Sequence, residues 1–129
     1  MVAKEMVQAA VDGYFAANSA LDADAVAALF APDARMYRVP GAPPLEGREG
    51  IRQAYRELLG AMARFDAPPI HTYLYGNGAA VLYRGELTAK RGESVATEGI
   101  DVFTIDEAGQ IEEIRFYFDP VPVYAALRG

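Results

Sequence analysis

Two side chains of opposite charge, Arg84 and Glu86, lie in one strand-like segment of the sequence, and an aspartate, Asp101, lies in the next. Alternate residues of a β-strand point to the same side, so Arg84 and Glu86 should share one face. In an apolar chamber, burial favours a protonated carboxyl group, whereas a neighbouring arginine favours the ionised form. Glu86 beside Arg84 could therefore act as a base, while a buried Asp101 could stay protonated and donate a hydrogen bond. Such a pair suits proton transfer or attack by water.

The elements that must position these groups are three helices followed by a set of strands. Apolar residues spaced by three and four predict helices over residues 4–19, 22–30 and 50–62. Alternating apolar residues and tight turns predict strands over residues 35–39, 70–75, 79–90, 94–105 and 110–119. A short tail follows at residues 123–127.

This order of elements indicates an α+β fold. We expect a cone-shaped, curved antiparallel sheet wrapped on three N-terminal helices, because a long meander must curl to bury one face. The curl would leave a small pocket inside. A length of 129 residues suits a single domain spanning residues 1–129.

The composition argues against several functional classes. The net charge of −6 disfavours nucleic acid and anionic membranes as partners. The chain has no cysteine and one histidine, so thiolate and multi-histidine metal sites are not expected. We expect no cofactor and no metal. The N-terminal segment lacks the apolar core of a signal peptide, which favours a cytoplasmic protein.

Five segments, spread over nearly the whole chain, carry a family resemblance. They are YFAA at residues 14–17, DADAVAALFAPDA at 22–34, EGREGI at 46–51, IDVF at 100–103 and RFYFD at 115–119. They resemble the opening helices, the start of the third helix and the last hairpin of nuclear-transport-factor-two-like (NTF2-like) domains. That superfamily includes ketosteroid isomerase, SnoaL-like polyketide cyclases and limonene epoxide hydrolase. The resemblance implies their fold, whereas the reaction differs from member to member.

The resemblance to ketosteroid isomerase assigns roles to two residues. That enzyme combines an aspartate base with an oxyanion hole made of a tyrosine and a protonated aspartic acid. By motif, Tyr14 matches the tyrosine and Asp101 matches the aspartic acid. Where the enzyme has its base, the nearest equivalent is Arg38, which is permanently charged and cannot accept a proton.

The resemblance to limonene epoxide hydrolase assigns roles to the charged strand. Arg84 and Glu86 resemble an arginine–aspartate pair of that family, which implies that Glu86 activates water and that Arg84 orients the Glu86 carboxylate. Tyr37 would position water or substrate, and Asp101 with Tyr14 would donate to an oxyanion or epoxide oxygen. The remaining contacts to substrate are expected from Arg38, Leu82, Phe103, Ile114, Phe116 and Phe118.

Structural interpretations of the same residues remain open. Arg84 and Glu86 could form an exposed cross-strand pair, which would contribute little stability. Tyr14 could be a core residue, and Asp101 could bond backbone groups. Tyr37 and Arg38 could lie at a solvated rim of the pocket.

A tyrosine-rich face predicts a homodimer. His71 alternates with Tyr73 and Tyr75, and these side chains should point away from the pocket, towards the convex face of the sheet. Tyrosine is favoured at protein interfaces.

The expected ligand is a small apolar or polycyclic molecule. The expected function is a cofactor-free isomerase, cyclase or epoxide-hydrolase-like enzyme. A non-catalytic ligand-binding domain and a dimeric interaction module are the alternatives.

Overall fold

Helices and strands account for most of residues 2–128, the part of the chain that the computed structural model describes. The helices are α1 (Lys4–Ser19), α2 (Ala23–Ala28), α3 (Arg48–Gly60) and α4 (Pro120–Arg128). The strands are β1 (Phe30–Tyr37), β2 (Leu45–Glu46), β3 (Met62–Asp66), β4 (Pro69–Tyr75), β5 (Gly78–Ala89), β6 (Ser94–Ile105) and β7 (Ile111–Phe118). None of these helices combines the length and the apolar character needed to cross a bilayer.

The strands form one curled sheet in the order β2-β1-β7-β6-β5-β3, and β4 also pairs with β5. The expected α+β fold with a curved sheet is confirmed. One pairing differs from the expectation of a purely antiparallel sheet, because β1 runs parallel to β7. Parallel neighbours need a long crossover, and here most of the chain, from β2 to β6, separates the two strands.

The edge strand beside β5 is broken in two, and Gly85 marks the break. Strand β3 pairs with β5 as far as Asp66, and β4 resumes the pairing at Pro69. A Cβ atom on Gly85 would lie 1.9 Å from the carbonyl oxygen of Asp66. Glycine therefore lets the chain cross β5 closely, which is a common reason for glycine inside a strand.

Helix α1 packs into the hollow of the sheet. Its buried side chains recur at helical spacing and include Val7, Val11 and Tyr14. They pack with Phe103 and other apolar residues of the strands in one core. Helix α3 adds a second buried stripe, so the two helices face the sheet across a common interior.

Two predicted boundaries were wrong. The second helix, predicted to end at residue 30, ends at Ala28. Strand β1, predicted to begin at residue 35, begins at Phe30, and its register with β7 shifts between Phe30 and Arg35. The predicted C-terminal tail is helix α4. Proline is well tolerated in the first turn of a helix, so Pro120 starts this helix where its type suggested a break.

Candidate functional site

Two adjoining cavities lie between the concave face of the sheet and helices α1, α3 and α4. The inner cavity is lined by Tyr14 and Asp101, and the outer one, which is larger, is lined by Arg38 and Arg128. Both are lined by Tyr55, Leu58, Phe116 and Tyr124, so they form the inner and outer lobes of one chamber. Helix α4 supplies Tyr124, which makes the C-terminal helix part of the chamber wall.

The inner lobe is mostly apolar and carries a few polar groups, as small-molecule sites usually do. Its polar side chains are Tyr14, Asn18, Tyr55, Tyr83, Thr97, Asp101 and Tyr124. They come from helices α1, α3 and α4 and from strands β5 and β6, so the folded chain gathers them from distant parts of the sequence.

Tyr14 and Tyr55 form a hydrogen-bonded pair inside the chamber. Tyr14 lies on the buried stripe of α1 and Tyr55 on that of α3, and their hydroxyl groups bond to each other. The Tyr14 ring is held edge-on against Phe103, with ring centroids 5.2 Å apart. Burial raises the pKa of both tyrosines, so both hydroxyl groups stay protonated.

Asp101 is a buried carboxyl group beside this pair. It points inward from β6, directly opposite Val81 of β5, and only 6% of its surface is exposed. Its carboxyl group lines the inner lobe and interacts electrostatically with Tyr14 and Tyr55. Burial raises the pKa of Asp101 to about 8, so the carboxyl group is mostly protonated at neutral pH.

Tyr83 brings a third phenol towards Asp101. Burial, and any charge on Asp101, raise the pKa of Tyr83. A Cβ atom on Gly99 would lie 2.8 Å from the Tyr83 hydroxyl oxygen and 2.6 Å from the carbonyl oxygen of Tyr117. Glycine at position 99 therefore leaves room for the Tyr83 hydroxyl group.

The inner lobe thus concentrates neutral O–H groups in an apolar setting. The Tyr14–Tyr55 pair has one free hydroxyl proton, and protonated Asp101 can donate a second hydrogen bond. Such donors stabilise negative charge that develops on a ligand oxygen. Their strength is greatest where water is excluded. The arrangement can polarise a carbonyl group or hold a phenolic oxygen.

Several expected lining residues lie in or next to this chamber. The structure brings Tyr14 and Asp101 together in the inner lobe, where Phe116 and Phe118 also line the wall. Phe103 and Ile114 are fully buried in the core and do not line either lobe. The catalytic roles of Tyr14 and Asp101 stay predictions.

The expected placement of Arg84, Glu86 and Leu82 in the chamber is wrong. Val81 lies opposite Asp101, so the odd-numbered residues of β5 face the chamber and the even-numbered ones face outward. Arg84 is exposed and bonds to Glu98 at 3.0 Å on the outer face, and Glu86 is exposed as well. The water-activating pair implied by the epoxide hydrolase resemblance is therefore not assembled.

The neighbouring residues Tyr37 and Arg38 lie on different sides of the sheet at the end of β1. Tyr37 lies on the outer face, where the guanidinium carbon of Arg115 stands 3.9 Å from its ring centroid, so its expected contact with substrate is also wrong. Arg38 is exposed and lines the outer lobe together with Glu57 and Arg128. A charged rim therefore borders the apolar interior.

Five polar residues of the inner lobe were not predicted as part of the site. They are Asn18, Tyr55, Tyr83, Thr97 and Tyr124. The apolar alternation of Val81, Tyr83 and Leu87 is the sequence signal that identifies the inward face of β5. Within residues 2–128, no group of three or more histidine or acidic side chains is placed to hold a metal ion.

Comparisons of the sequence with known proteins identify its family. The family model of a SnoaL-like domain matches residues 11–114. The steroid Delta-isomerase of Nocardioides simplex is 34% identical over 115 residues, which are 88% of this chain and 90% of that protein. The match therefore spans nearly the whole of both chains.

Solved structures share the fold at lower identity. An NTF2-like protein of unknown function from Burkholderia pseudomallei has a TM-score of 0.81 and 19% identity, over 96% of this chain and 98% of the other. SalBIII, an epoxide hydrolase/cyclase-like enzyme with a role in pyran ring formation in salinomycin, has a TM-score of 0.81 and 24% identity, over 94% and 96%. At these identities the likeness shows a common fold and says nothing about a common reaction.

Proposed function

The chain belongs to the SnoaL-like domain family of the NTF2-like superfamily, and from that membership we propose that it is a cofactor-free isomerase or cyclase acting on a small, mostly apolar carbonyl compound. The family includes isomerases and cyclases, and the resemblance in the sequence motifs is confirmed. One observation carries the proposal: the buried carboxyl group of Asp101, whose pKa is raised by burial, lies beside the Tyr14–Tyr55 pair in an apolar lobe.

The chemistry follows from where charge develops. The substrate carbonyl oxygen accepts hydrogen bonds from Tyr14 and Asp101. When a proton leaves the carbon next to the carbonyl group, the electron pair moves to oxygen and forms an enolate, which the donors stabilise more than the ketone. Return of a proton at another carbon completes an isomerisation. Attack of the enolate on a carbonyl carbon of the same molecule forms an alkoxide, and return of the proton to that oxygen completes a cyclisation.

We propose Glu57 as the group that takes the proton. The position that matches the base of ketosteroid isomerase is Arg38, which cannot accept one. Glu57 is the carboxylate of the outer lobe among residues 2–128, and this lobe adjoins the inner one at Tyr55. It is exposed and can pass the proton to water.

A second function, ligand binding without turnover, is supported by a different observation. Asp101 is the one carboxyl group that lines the inner lobe within residues 2–128, and it is mostly protonated at neutral pH. A chamber with donors but without an internal base would bind a carbonyl or phenolic ligand and leave it unchanged.

Turnover of β,γ-unsaturated ketones separates the two functions, and the relationship to a steroid Delta-isomerase makes these ketones the first substrates to test. Formation of the conjugated enone is followed by absorbance with the wild type, Tyr14→Phe, Asp101→Asn and Glu57→Gln. We expect at least a tenfold lower rate for each variant and an unchanged rate for Tyr73→Phe, whose side chain is exposed on the outer face. A wild type that binds 2-naphthol and converts none of the ketones would establish the binding function instead.

We also propose that the chain forms a homodimer through the outer face of the sheet. Side chains from four neighbouring strands line up across this face in register: His71 with Leu82, Leu82 with Ile100, and Ile100 with Tyr117. Tyr73 stacks beside His71, with ring centroids 4.3 Å apart, and is 67% exposed. A second copy would cover this largely apolar row.

A further inference from the structure

Asn18 is a buried amide in the chamber wall with one unused hydrogen-bonding atom. It follows Tyr14 by one turn of α1 and is only 2% exposed. Its Nδ2 atom donates to the backbone carbonyl oxygen of Tyr14 at 3.0 Å. Its Oδ1 atom is buried without a partner, and no other side-chain atom within residues 2–128 is in that state. Buried polar atoms are nearly always paired, so an unpaired one needs an explanation.

The hydrogen bond to Tyr14 decides which atom of the amide is free. If the amide were rotated by half a turn, Oδ1 would face the carbonyl oxygen of Tyr14, and two acceptors cannot bond to each other. The nitrogen therefore stays on the carbonyl group, and the unpaired atom is an acceptor. Its partner has to be a donor, such as a hydroxyl or N–H group.

We propose that Asn18 is a subsite for a hydroxyl or N–H group of the ligand. The ligand then carries two polar ends, an oxygen held by Tyr14 and Asp101 and a donor that bonds to Oδ1 of Asn18. The placement of the first oxygen rests on the proposed function. The donor end of the ligand rests on a separate observation: the unpaired Oδ1 atom belongs to Asn18, which lines the same inner lobe.

This subsite makes the protein selective for hydroxylated substrates. A ligand without the donor displaces water from the lobe and leaves Oδ1 unpaired, which costs affinity or rate. A site built to bond a substrate hydroxyl group discriminates against the analogue that lacks it more strongly than an apolar pocket does. Asn18 does not act on the reacting atoms and is a specificity-determining residue.

Binding of matched aromatic alcohols tests the proposal. The probes are 2-naphthol and its 1,5-, 2,6- and 2,7-dihydroxy analogues, and their dissociation constants are measured by calorimetry. We expect at least one diol to bind the wild type about tenfold more tightly than 2-naphthol, and this ratio to fall to about one in Asn18→Leu. The control Gln8→Leu removes an amide from α1 outside the chamber and should keep the ratio.

The outcomes separate this inference from the proposed function. If no diol is preferred by the wild type, a water or nothing fills the subsite and the inference is overturned. A preference that survives in Asn18→Leu overturns it as well. If 2-naphthol affinity does not respond to Tyr14→Phe, the proposed oxygen site fails, whatever Asn18 does. Should Asn18→Leu not fold by circular dichroism, Asn18→Ala makes the same comparison.

Discussion

The hydroxyl groups of Tyr14 and Tyr55 bond to each other across the chamber and join α1 to α3. The rings meet edge to face, with centroids 6.1 Å apart. In the pair, one hydroxyl group donates to the other, and the proton that is left over is free for a ligand oxygen. The two tyrosines therefore act as one donor unit, and the first prediction follows from this coupling.

Removing one hydroxyl group of the pair should weaken binding of 2-naphthol by about tenfold or more, because a hydrogen bond to a charged or partly charged oxygen contributes about 1.5–3 kcal/mol. The variants are Tyr14→Phe and Tyr55→Phe, with Tyr73→Phe as the control. The double variant should lose much less than the product of the two single losses, since the groups are coupled. Losses that multiply would show that the two tyrosines act independently.

The raised pKa of Asp101 predicts a pH dependence of stability. The folded value is about 8, whereas an aspartate in an unfolded chain titrates near about 3.9. Between these values the folded state holds a proton that the unfolded state has lost. Stability must therefore fall as pH rises, by up to about 1.4 kcal/mol per pH unit from this group. The contribution is complete below about pH 4 and is lost as pH passes through the folded pKa.

Urea unfolding between about pH 5 and about pH 8 measures this dependence. Asp101→Asn should flatten the curve relative to the wild type, because the amide does not titrate. Glu98→Gln is the matched control, since Glu98 is exposed on the outer face of the same strand. Parallel curves for the wild type and Asp101→Asn would contradict the raised pKa.

Most helices and hairpins of the fold could be predicted, because their sequence signals are local. Helical spacing indicated α1 and α3, and the tight turns indicated the hairpins of the last strands. Helix α4 could not be recognised, because its two prolines suggest a break and its buried face, Val123 and Ala126, depends on the chamber beneath it. The parallel pairing of β1 with β7 joins residues that are far apart in sequence.

The site could be predicted only in part. Motif resemblance placed Tyr14 and Asp101 correctly in the inner lobe, but the same reasoning put Arg84 and Glu86 there. The apolar alternation in β5 contradicts that placement, because Val81 and Leu87 are at odd positions and must face the core. The Tyr14–Tyr55 contact spans 41 residues, so no local pattern reveals it.

Arg84 and Glu86 should therefore be dispensable for ligand binding. Arg84→Ala and Glu86→Gln are expected to leave 2-naphthol affinity within about twofold of the wild type. Loss of the exposed Arg84–Glu98 pair should change the free energy of unfolding by about 1 kcal/mol or less. A tenfold loss of affinity in either variant would mean that the outward face of β5 takes part in the site.

Gly85→Ala should be severely destabilising. The added Cβ atom would lie 1.9 Å from the carbonyl oxygen of Asp66, so the β3–β4 edge has to move. We expect a loss of at least about 3 kcal/mol in the free energy of unfolding. Gly60→Ala is the matched control, because a Cβ atom added there, at the end of α3, meets nothing within 4 Å. This substitution should be neutral or should stabilise the fold by up to about 1 kcal/mol. Equal stabilities of the two variants would refute the close crossing.

The outer face of the sheet leads to a prediction about assembly. Ile100 lies in the middle of the row that runs from His71 through Leu82 to Tyr117, and a charge there would be buried in any interface that covers the row. Ile100→Glu should therefore convert a dimer to a monomer in sedimentation velocity, since burying an unpaired carboxylate is costly. Ala9→Glu adds the same charge at an exposed position on α1 and should remain dimeric. A wild type that sediments as a monomer would remove the dimer, whereas a dimer that survives in Ile100→Glu would place the interface on another surface.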